Sequence, residues 1–210
     1  MADSATPEPF NTGSPQYIRP TKRQARDIND IEGQLQDKLE EQPAYIALYL
    51  ELIQHYNSKD QLENVRQVFD KAHDQFPYFS PLWTMQLNYE LERDEFAKVE
   101  AILAKALAGA TENNDLSLWK TYLDYVRRKN NLITGGEDAR RVVLKAFDVV
   151  AEKCGSLEPR SFTFWNEYLS FLEHWKPVSK WEEQQRIDLL RKLYKQMLVL
   201  PMDNLEKLWN

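Results

Sequence analysis

The chain has 210 residues, of which 42% are hydrophobic, and its formal net charge is -6. This length fits one sizeable domain or two small ones. Its six glycines are few for a turn-rich β-sandwich, because average proteins contain about 7% glycine. A single cysteine, Cys154, excludes an internal disulfide, and no apolar run reaches the roughly 20 residues that span a bilayer. We therefore expect an intracellular helical protein with no membrane segment.

The N-terminal residues differ in composition from the remainder of the chain. Residues 1–25 contain four of the ten prolines and almost no aliphatic side chains. Such a segment buries too little apolar surface to offset the entropy lost on ordering, which predicts a disordered tail. Residues 26–210 are then a single repeat domain. Its first element is an amphipathic helix, because apolar residues recur at helical spacing from Ile28 to Leu39.

An aromatic residue recurs at intervals of 36 to 46 residues and opens a predicted helix each time. The five copies are Tyr45, Trp83, Trp119, Trp165 and Trp209. A second aromatic follows three residues later at Tyr122 and Tyr168, on the same helical face. These rings form an aromatic stripe along one face of each first helix. Such a stripe is typical of a buried core, and the alternative is a platform on which nucleic-acid bases stack.

Each unit also has a second helix with a repeated alanine, at Ala72, Ala106 and Ala146. A small side chain at this position lets the two helices of a pair approach closely. Hairpins of this length bury their apolar faces by stacking on their neighbours. The pattern predicts an all-α fold, an α-solenoid of antiparallel helical hairpins with about four complete repeats and the start of a fifth. Because a fifth helix has no room to finish, we expect a fragment of a longer array.

Three segments have the spacing of capping boxes, in which two side chains satisfy the free amides at the start of a helix. They are Thr134 with Glu137, Ser179 with Glu182, and Asp203 with Glu206. We expect a helix to begin at each of them.

Catalytic and metal-binding signals are weak. The three histidines are far apart, and Gly135-Gly136 lacks the lysine and hydroxyl residue of a phosphate-binding loop. Cys154 has no histidine close to it in sequence, so an inert thiol is favoured over a nucleophile. We expect no enzymatic activity, no metal and no cofactor.

Two basic clusters are candidates for a binding surface. Arg127, Arg128 and Lys129 close one predicted helix, and Arg140, Arg141 and Lys145 lie at the start of the next. A hairpin brings these two ends together, which predicts a positive patch for RNA or for an acidic partner. The alternative is that the first cluster offsets the helix dipole and the second is ordinary surface.

The aromatic register, the alanines and the closing prolines resemble the HAT (half-a-TPR) repeat family. The family pattern has tryptophan, an aromatic three residues later and glutamate seven residues later. Trp83 and Glu90 match it, although Gln86 replaces the middle aromatic. The pairs Trp119 with Tyr122 and Trp165 with Tyr168 match its first two positions.

Residues 112–141 and 164–191 resemble the HAT scaffold subunits of the fungal pre-mRNA cleavage factor and their metazoan counterparts. The resemblance implies a non-catalytic scaffold for pre-mRNA 3′-end cleavage and polyadenylation, in the nucleus with the cytoplasm as a second location. Its implied partners are other subunits of that machinery. They include an RNA-recognition subunit, bound by regions outside this chain, and a second copy, bound through later repeats.

Three alternatives remain open at this point. The chain also fits a HAT scaffold of a splicing or ribosomal RNA processing complex. A protein prenyltransferase α subunit stacks similar hairpins, but its short-spaced Trp-x-x-Arg pattern is missing here. Direct RNA binding through the two basic clusters is the third alternative.

Overall fold

The structure, a computed structural model, describes residues 30–109, 115–155, 159–204 and 206. This part of the chain contains nine α-helices and no strand. The helices are α1 (Ile31–Glu41), α2 (Ile46–Ser58), α3 (Leu62–Gln75), α4 (Ser80–Leu91), α5 (Phe96–Gly109), α6 (Leu116–Lys129), α7 (Gly136–Val150), α8 (Phe162–Glu173) and α9 (Lys180–Met197). A π-helical segment, Ala151–Gly155, follows α7, and a 3-10 turn, Pro159–Ser161, precedes α8. The prediction of an all-α fold is confirmed.

Consecutive helices pair into hairpins. Helix α2 packs on α3, α4 on α5, α6 on α7, and α8 on α9. The short connections make the two helices of each pair antiparallel. Helix α1 packs on α2, and α3 on α4, while α4 and α5 both contact α6. The last hairpin joins through the π-helical segment, which contacts α6 and α8. The hairpins therefore stack as the α-solenoid that the repeat predicts.

Helix α4 links two apolar clusters that together form the core. Its residues Leu82 and Tyr89 belong to the cluster built by α1, α2 and α3. Its residues Leu87 and Leu91 belong to the cluster that continues through α5 to α9. Leu82 and Tyr89 are seven residues apart and share one face of the helix, while Leu87 and Leu91 share another. Helix α4 therefore belongs to both clusters and connects the first part of the stack to the second.

The aromatic register lies at the helix interfaces of the last three units. Trp165 is 1% exposed, and Tyr168 and Trp119 are also buried. Tyr122 is half-buried beside Trp119, with ring centroids 5.8 Å apart in an edge-to-face arrangement. Trp83 is half-buried too, and its indole stacks on His73 at a centroid distance of 3.5 Å. In these units the rings pack against protein.

Gly155, at the end of the π-helical segment, makes room for the most buried tryptophan. The Nε1–H of Trp165 donates to the carbonyl oxygen of Gly155 at 3.0 Å. A Cβ atom on Gly155 would lie 2.9 Å from the Trp165 ring. Only glycine therefore lets the backbone approach the indole closely enough for this hydrogen bond.

The first repeat departs from the predicted register. Tyr45 is 54% exposed and occupies the N-cap of α2 with extended backbone angles. The expectation that Tyr45 belongs to the buried stripe is wrong, because a residue before the first helical turn does not share the helical face. Tyr49 is the buried ring here, and it packs edge-to-face on Phe76. Trp209 and the predicted tail, 1–25, lie outside the described residues.

One of the three predicted capping boxes forms in part, because its carboxylate bonds to the residue before the N-cap. The Oγ of Ser179 accepts from the Glu182 N–H at 3.1 Å, and the Glu182 carboxylate accepts from the Val178 N–H. The box at Thr134 is wrong: α7 begins at Gly136, and its N-cap is Gly135, which has no side chain to accept a hydrogen bond. Asn131 Oδ1 accepts the Thr134 N–H, which the Glu137 carboxylate would accept in a capping box. Asp203 lies in a turn, and no α-helix starts there within the described residues.

The three repeated alanines are all buried in helix pairs. We expect Ala106→Leu to lower the free energy of unfolding by about 1–3 kcal/mol, because extra methyl groups overfill a packed interface. Ala104→Leu on the same helix is the matched control, since Ala104 is exposed. Chemical denaturation of both variants measures the difference. Equal stability of the two variants would show that Ala106 does not set the helix spacing.

The exposed and buried tryptophans offer a second test of the core. Trp165→Ala should lower the free energy of unfolding by about 3–5 kcal/mol, because it removes a buried ring and leaves a cavity. Trp181 is 61% exposed on α9, so Trp181→Ala is the control and should change stability little. Thermal and denaturant unfolding followed by circular dichroism compares them. A Trp165→Ala variant as stable as the control would contradict the core assignment.

Candidate partner-binding surface

The structure distributes the six predicted basic residues over several environments. The Arg128 guanidinium donates to the Leu91 carbonyl oxygen at the end of α4, 3.0 Å away. Lys129 pairs with Glu100 of α5. Arg141 pairs with Glu137 on its own helix. Of the six, Arg127 and Arg140 line a common groove, whereas Lys145 is exposed on α7 outside it.

Helix geometry explains why these residues do not form one patch. Successive residues on a helix are about 100° apart, so the adjacent residues Arg127, Arg128 and Lys129 face three different directions. The same holds for Arg140 and Arg141 on α7. Sequence adjacency therefore overstated how closely the positive charges cluster, and the predicted patch of five or six charges is reduced to two of its members.

The groove shared by Arg127 and Arg140 has a volume of about 770 Å³ and lies between the α6–α7 loop and the C-terminal end of α8. The loop contributes Leu132 and Ile133. Helix α8 and the residues after it contribute the remaining wall, namely Asn166, Glu167, Ser170, Phe171, His174, Trp175 and Lys176. We call this the α6–α8 groove. It combines an apolar floor and rim with several basic side chains.

Aromatic packing fixes the position of one basic side chain in the groove. The Arg140 guanidinium carbon lies 4.6 Å from the centroid of the Trp175 ring, a cation–π contact. The backbone oxygen of Trp175 accepts from Arg186 at 3.2 Å, which anchors the residue that follows α8. Glu182 is the nearest carboxylate to Arg140, at the long ion-pair distance of 4.0 Å.

The groove is positive because its acidic side chain is neutralised. Glu167 is the one carboxylate among its lining residues, and Lys120 Nζ lies 3.1 Å from Glu167 Oε1. Arg127, Arg140 and Lys176 contribute three positive charges to the same lining. The electrostatic field in the groove therefore favours a negatively charged ligand.

Sequence reasoning missed several residues that build this groove. Leu132 and Ile133 lie in a short loop and outside the helical periodicity. Trp175 and Lys176 follow α8 and are outside the aromatic register. A usable signal was present nonetheless, because two of the six tryptophans, Trp175 and Trp181, do not fit the repeat. These two tryptophans therefore do not belong to the aromatic stripe of the repeat.

A second groove lies between α7 and α9 and shares Trp175 and Arg140 with the first. Its volume is about 590 Å³, and the exposed Trp181 forms part of its wall. Carboxylates of Glu137, Glu182 and Asp188 line it together with basic side chains, so its charges are mixed. This groove selects less strongly for the sign of a ligand than the α6–α8 groove does.

Groups with catalytic potential are dispersed or inaccessible. Cys154 is buried, and its sulfur lies 3.3 Å from the Val150 carbonyl oxygen. His174 is exposed, and its Nδ1 donates to the Ser170 carbonyl oxygen at 2.7 Å. Within the described residues, no group of three or more histidine, cysteine or acidic side chains is placed to hold a metal ion. No helix in this part of the chain combines the length and apolarity needed to cross a bilayer.

Polar contacts join the first two hairpins across the interface of α3 and α4. Arg66 donates from Nε and Nη2 to the two carboxylate oxygens of Glu90, both at 2.8 Å. Glu90 is the glutamate of the HAT pattern, and its side chain is buried. The hydrogen bonds from Arg66 to Glu90 raise the pKa of the guanidinium. This bidentate ion pair fixes both the spacing and the orientation of the two helices.

The comparison with known proteins places the chain in a family. A family profile described as suppressor of forked protein (Suf) matches residues 30–210. The chain belongs to this family. The match confirms the resemblance to the HAT scaffolds that the sequence indicated.

Several relatives share the description "mRNA 3'-end-processing protein RNA14". The protein from Eremothecium gossypii is 56% identical over 201 residues, which cover 96% of this chain and 30% of the relative. The Saccharomyces cerevisiae protein is 52% identical over 210 residues, covering 100% of this chain and 30% of the relative. The Schizosaccharomyces pombe protein is 32% identical over 181 residues, or 86% of this chain and 24% of the relative. The chain thus spans 24–30% of the length of these relatives.

His73 is a buried titratable residue on α3 whose Nε2 lies 2.9 Å from Gln86 Oε1 of α4, at the same helix interface as the Arg66–Glu90 pair. Burial lowers the pKa of His73 below its ordinary value of 6.5, against the smaller raising effect of its hydrogen bond to Gln86. The unfolded chain therefore binds a proton at a higher pH than the folded chain does. We expect the free energy of unfolding to decrease as the pH falls below 6.5.

The variant His73→Gln should lose this part of the pH dependence. Urea unfolding between neutral and mildly acidic pH measures it, with His174→Gln as the control because His174 is exposed. If His73→Gln retained the whole slope of the parent chain, the assignment of that slope to His73 would be incorrect.

Proposed function

We propose that the chain is part of a non-catalytic scaffold for pre-mRNA 3′-end cleavage and polyadenylation. The observation that carries this proposal is the identity of 56% and 52% with two relatives described as mRNA 3'-end-processing proteins. Those alignments cover 96% and 100% of this chain. The descriptions apply to whole proteins, of which this chain corresponds to a part.

The proposed mechanism is geometric. Stacked hairpins whose two apolar clusters are connected by helix α4 hold their surfaces at fixed separations. The Arg66–Glu90 pair and the buried ring of Trp165 support this rigidity, because each joins one hairpin or helical segment to the next. A rigid stack presents partner-binding surfaces in a defined order without taking part in the chemistry. The inaccessible Cys154 thiol supports the non-catalytic assignment.

The proposed partners are other subunits of the cleavage and polyadenylation machinery, and the proposed location is the nucleus. An RNA-recognition subunit would bind regions outside this chain, and homodimerisation would involve later repeats of a longer protein. Direct RNA contact through Arg127, Arg128, Lys129, Arg140, Arg141 and Lys145 is a secondary proposal. These side chains do not form one patch, since Arg128, Lys129 and Arg141 have partners within the protein, and this supports a protein-binding role over it.

The names of the relatives favour 3′-end processing over the alternatives. They describe neither splicing nor ribosomal RNA processing, and none describes a prenyltransferase subunit.

A chimera tests the proposal directly. The region of the Saccharomyces cerevisiae RNA14 protein that aligns with this chain is replaced by residues 1–210. We expect extracts of the chimeric strain to cleave and polyadenylate a precursor RNA at about the parental level, because the scaffold surfaces are retained. Cleaved and polyadenylated products are separated and quantified by gel electrophoresis.

The control chimera carries an unrelated helical-repeat segment of equal length, and it should process poorly. Immunoblotting establishes that both chimeras accumulate. Loss of processing by the stable chimera with residues 1–210 would argue against the proposed function.

A further inference from the structure

The α6–α8 groove has an aliphatic residue on its rim that the protein leaves uncovered. Ile133 is 93% exposed, although the loop that carries it is held in place. The Asn131 carboxamide oxygen accepts from the Ile133 N–H at 2.8 Å, and the Asn131 carbonyl accepts from the Gly135 N–H at 2.8 Å. An ordered loop therefore presents a large apolar side chain to solvent. Apolar groups grouped at a groove mark interaction sites.

The basic side chains of the groove are available to an external ligand. Among the described residues, neither Arg127 nor Lys176 forms an ion pair, although the Asp124 carboxylate on α6 interacts electrostatically with Arg127. Arg140 has only the long contact with Glu182, while its stacking on Trp175 holds the guanidinium in position. A charged side chain that is already oriented loses less conformational entropy when it binds a carboxylate.

The apolar surfaces of the groove fit a peptide better than RNA. Binding of single-stranded RNA uses exposed ring faces on which bases stack. Trp175 is buried and lies beneath Arg140, and Phe171 packs on Phe147 with centroids 5.2 Å apart. The exposed apolar groups are the aliphatic Leu132 and Ile133, which cannot stack with a base. The net charge of -6 further disfavours a polyanionic ligand along the remaining surface.

We propose that the α6–α8 groove docks a short acidic segment of a partner protein, with an aliphatic or aromatic side chain packed against Leu132 and Ile133. Carboxylates on both sides of that anchor would pair with Arg127, Arg140 and Lys176. This inference rests on the proposed scaffold function and specifies the chemistry of one partner. The anchor supplies apolar burial, and the carboxylates select the partner and its orientation.

Selection from a phage-displayed random peptide library tests the groove, because random sequences include acidic segments with and without an apolar anchor. The whole chain is the bait, and phage that also bind the triple variant Arg127→Glu/Ile133→Ser/Lys176→Glu are removed. All three positions are exposed, so the variant keeps its core. We expect the enriched peptides to share several carboxylates around an aliphatic or aromatic residue. Failure to enrich peptides that discriminate the two chains, or enrichment of peptides without an acidic excess, would overturn the inference.

Fluorescence anisotropy then measures the enriched peptide against single changes. Ile133→Ser should weaken binding about tenfold, because it removes the apolar contact of the anchor. Arg127→Glu with Lys176→Glu should weaken it at least about tenfold and reduce its salt dependence. The matched controls are Val199→Ser and the pair Lys59→Glu with Lys195→Glu, all exposed and outside the groove. Equal losses in the control variants would contradict a site at this groove.

A labelled U-rich RNA is titrated with the same set of proteins. RNA binding that the triple variant abolishes, together with no peptide enrichment, would assign the groove to RNA and refute the proposal. The peptide measurements do not depend on 3′-end processing. Their failure leaves the chimera result unaffected, and failure of the chimera leaves a measured peptide affinity standing, so the two proposals are separately testable.

Discussion

Burial of large aromatic rings between successive hairpins is the constraint on which this fold depends. Trp165 adds a hydrogen bond to this burial, since its indole N–H finds an acceptor inside the interface at Gly155, whereas the buried indole N–H groups of Trp119 and Trp175 have no hydrogen-bond partner among the described residues. A polar group buried without a partner would cost much of what the ring contributes. The π-helical segment and the absence of a Cβ at Gly155 bring the acceptor close enough. The local backbone irregularity is therefore part of the packing between α7 and α8.

The rigidity of a solenoid depends on the interfaces between its repeats, and here these interfaces differ in the contacts that form them. Helix α4 places different apolar residues in each of the two core clusters, so the clusters share a helix but no side chain. Apolar packing tolerates small sliding of one helix on another, whereas a bidentate ion pair has a single favourable geometry. The Arg66–Glu90 pair sets that geometry where α3 meets α4. Specific polar contacts thus fix an arrangement that apolar burial stabilises.

The repeat was readable from the sequence because core packing imposes a helical period on many residues at once. The hairpins, the buried alanines and the rings of Trp119 and Trp165 follow from that period. Two helix starts did not follow from it, although the cap at Ser179 was predicted correctly. Asn131 accepts the Thr134 N–H that the predicted capping box assigns to Glu137, and Tyr45 precedes the first turn of its helix. The basic cluster failed for a related reason, because neighbours in sequence diverge around a helix.

Helical periodicity does not identify the residues of the α6–α8 groove, and the reason is physical. A binding surface is built from side chains that the repeat does not need for its own stability, so such residues lie in loops and after helix ends. Ile133 and Lys176 have these positions, and Trp175 belongs to neither the stripe nor a helix. Departures from a repeat are consequently more informative about function than the repeat itself. In a stack whose core residues are constrained by packing, selectivity for a partner arises where a loop and a helix end place apolar and charged groups side by side.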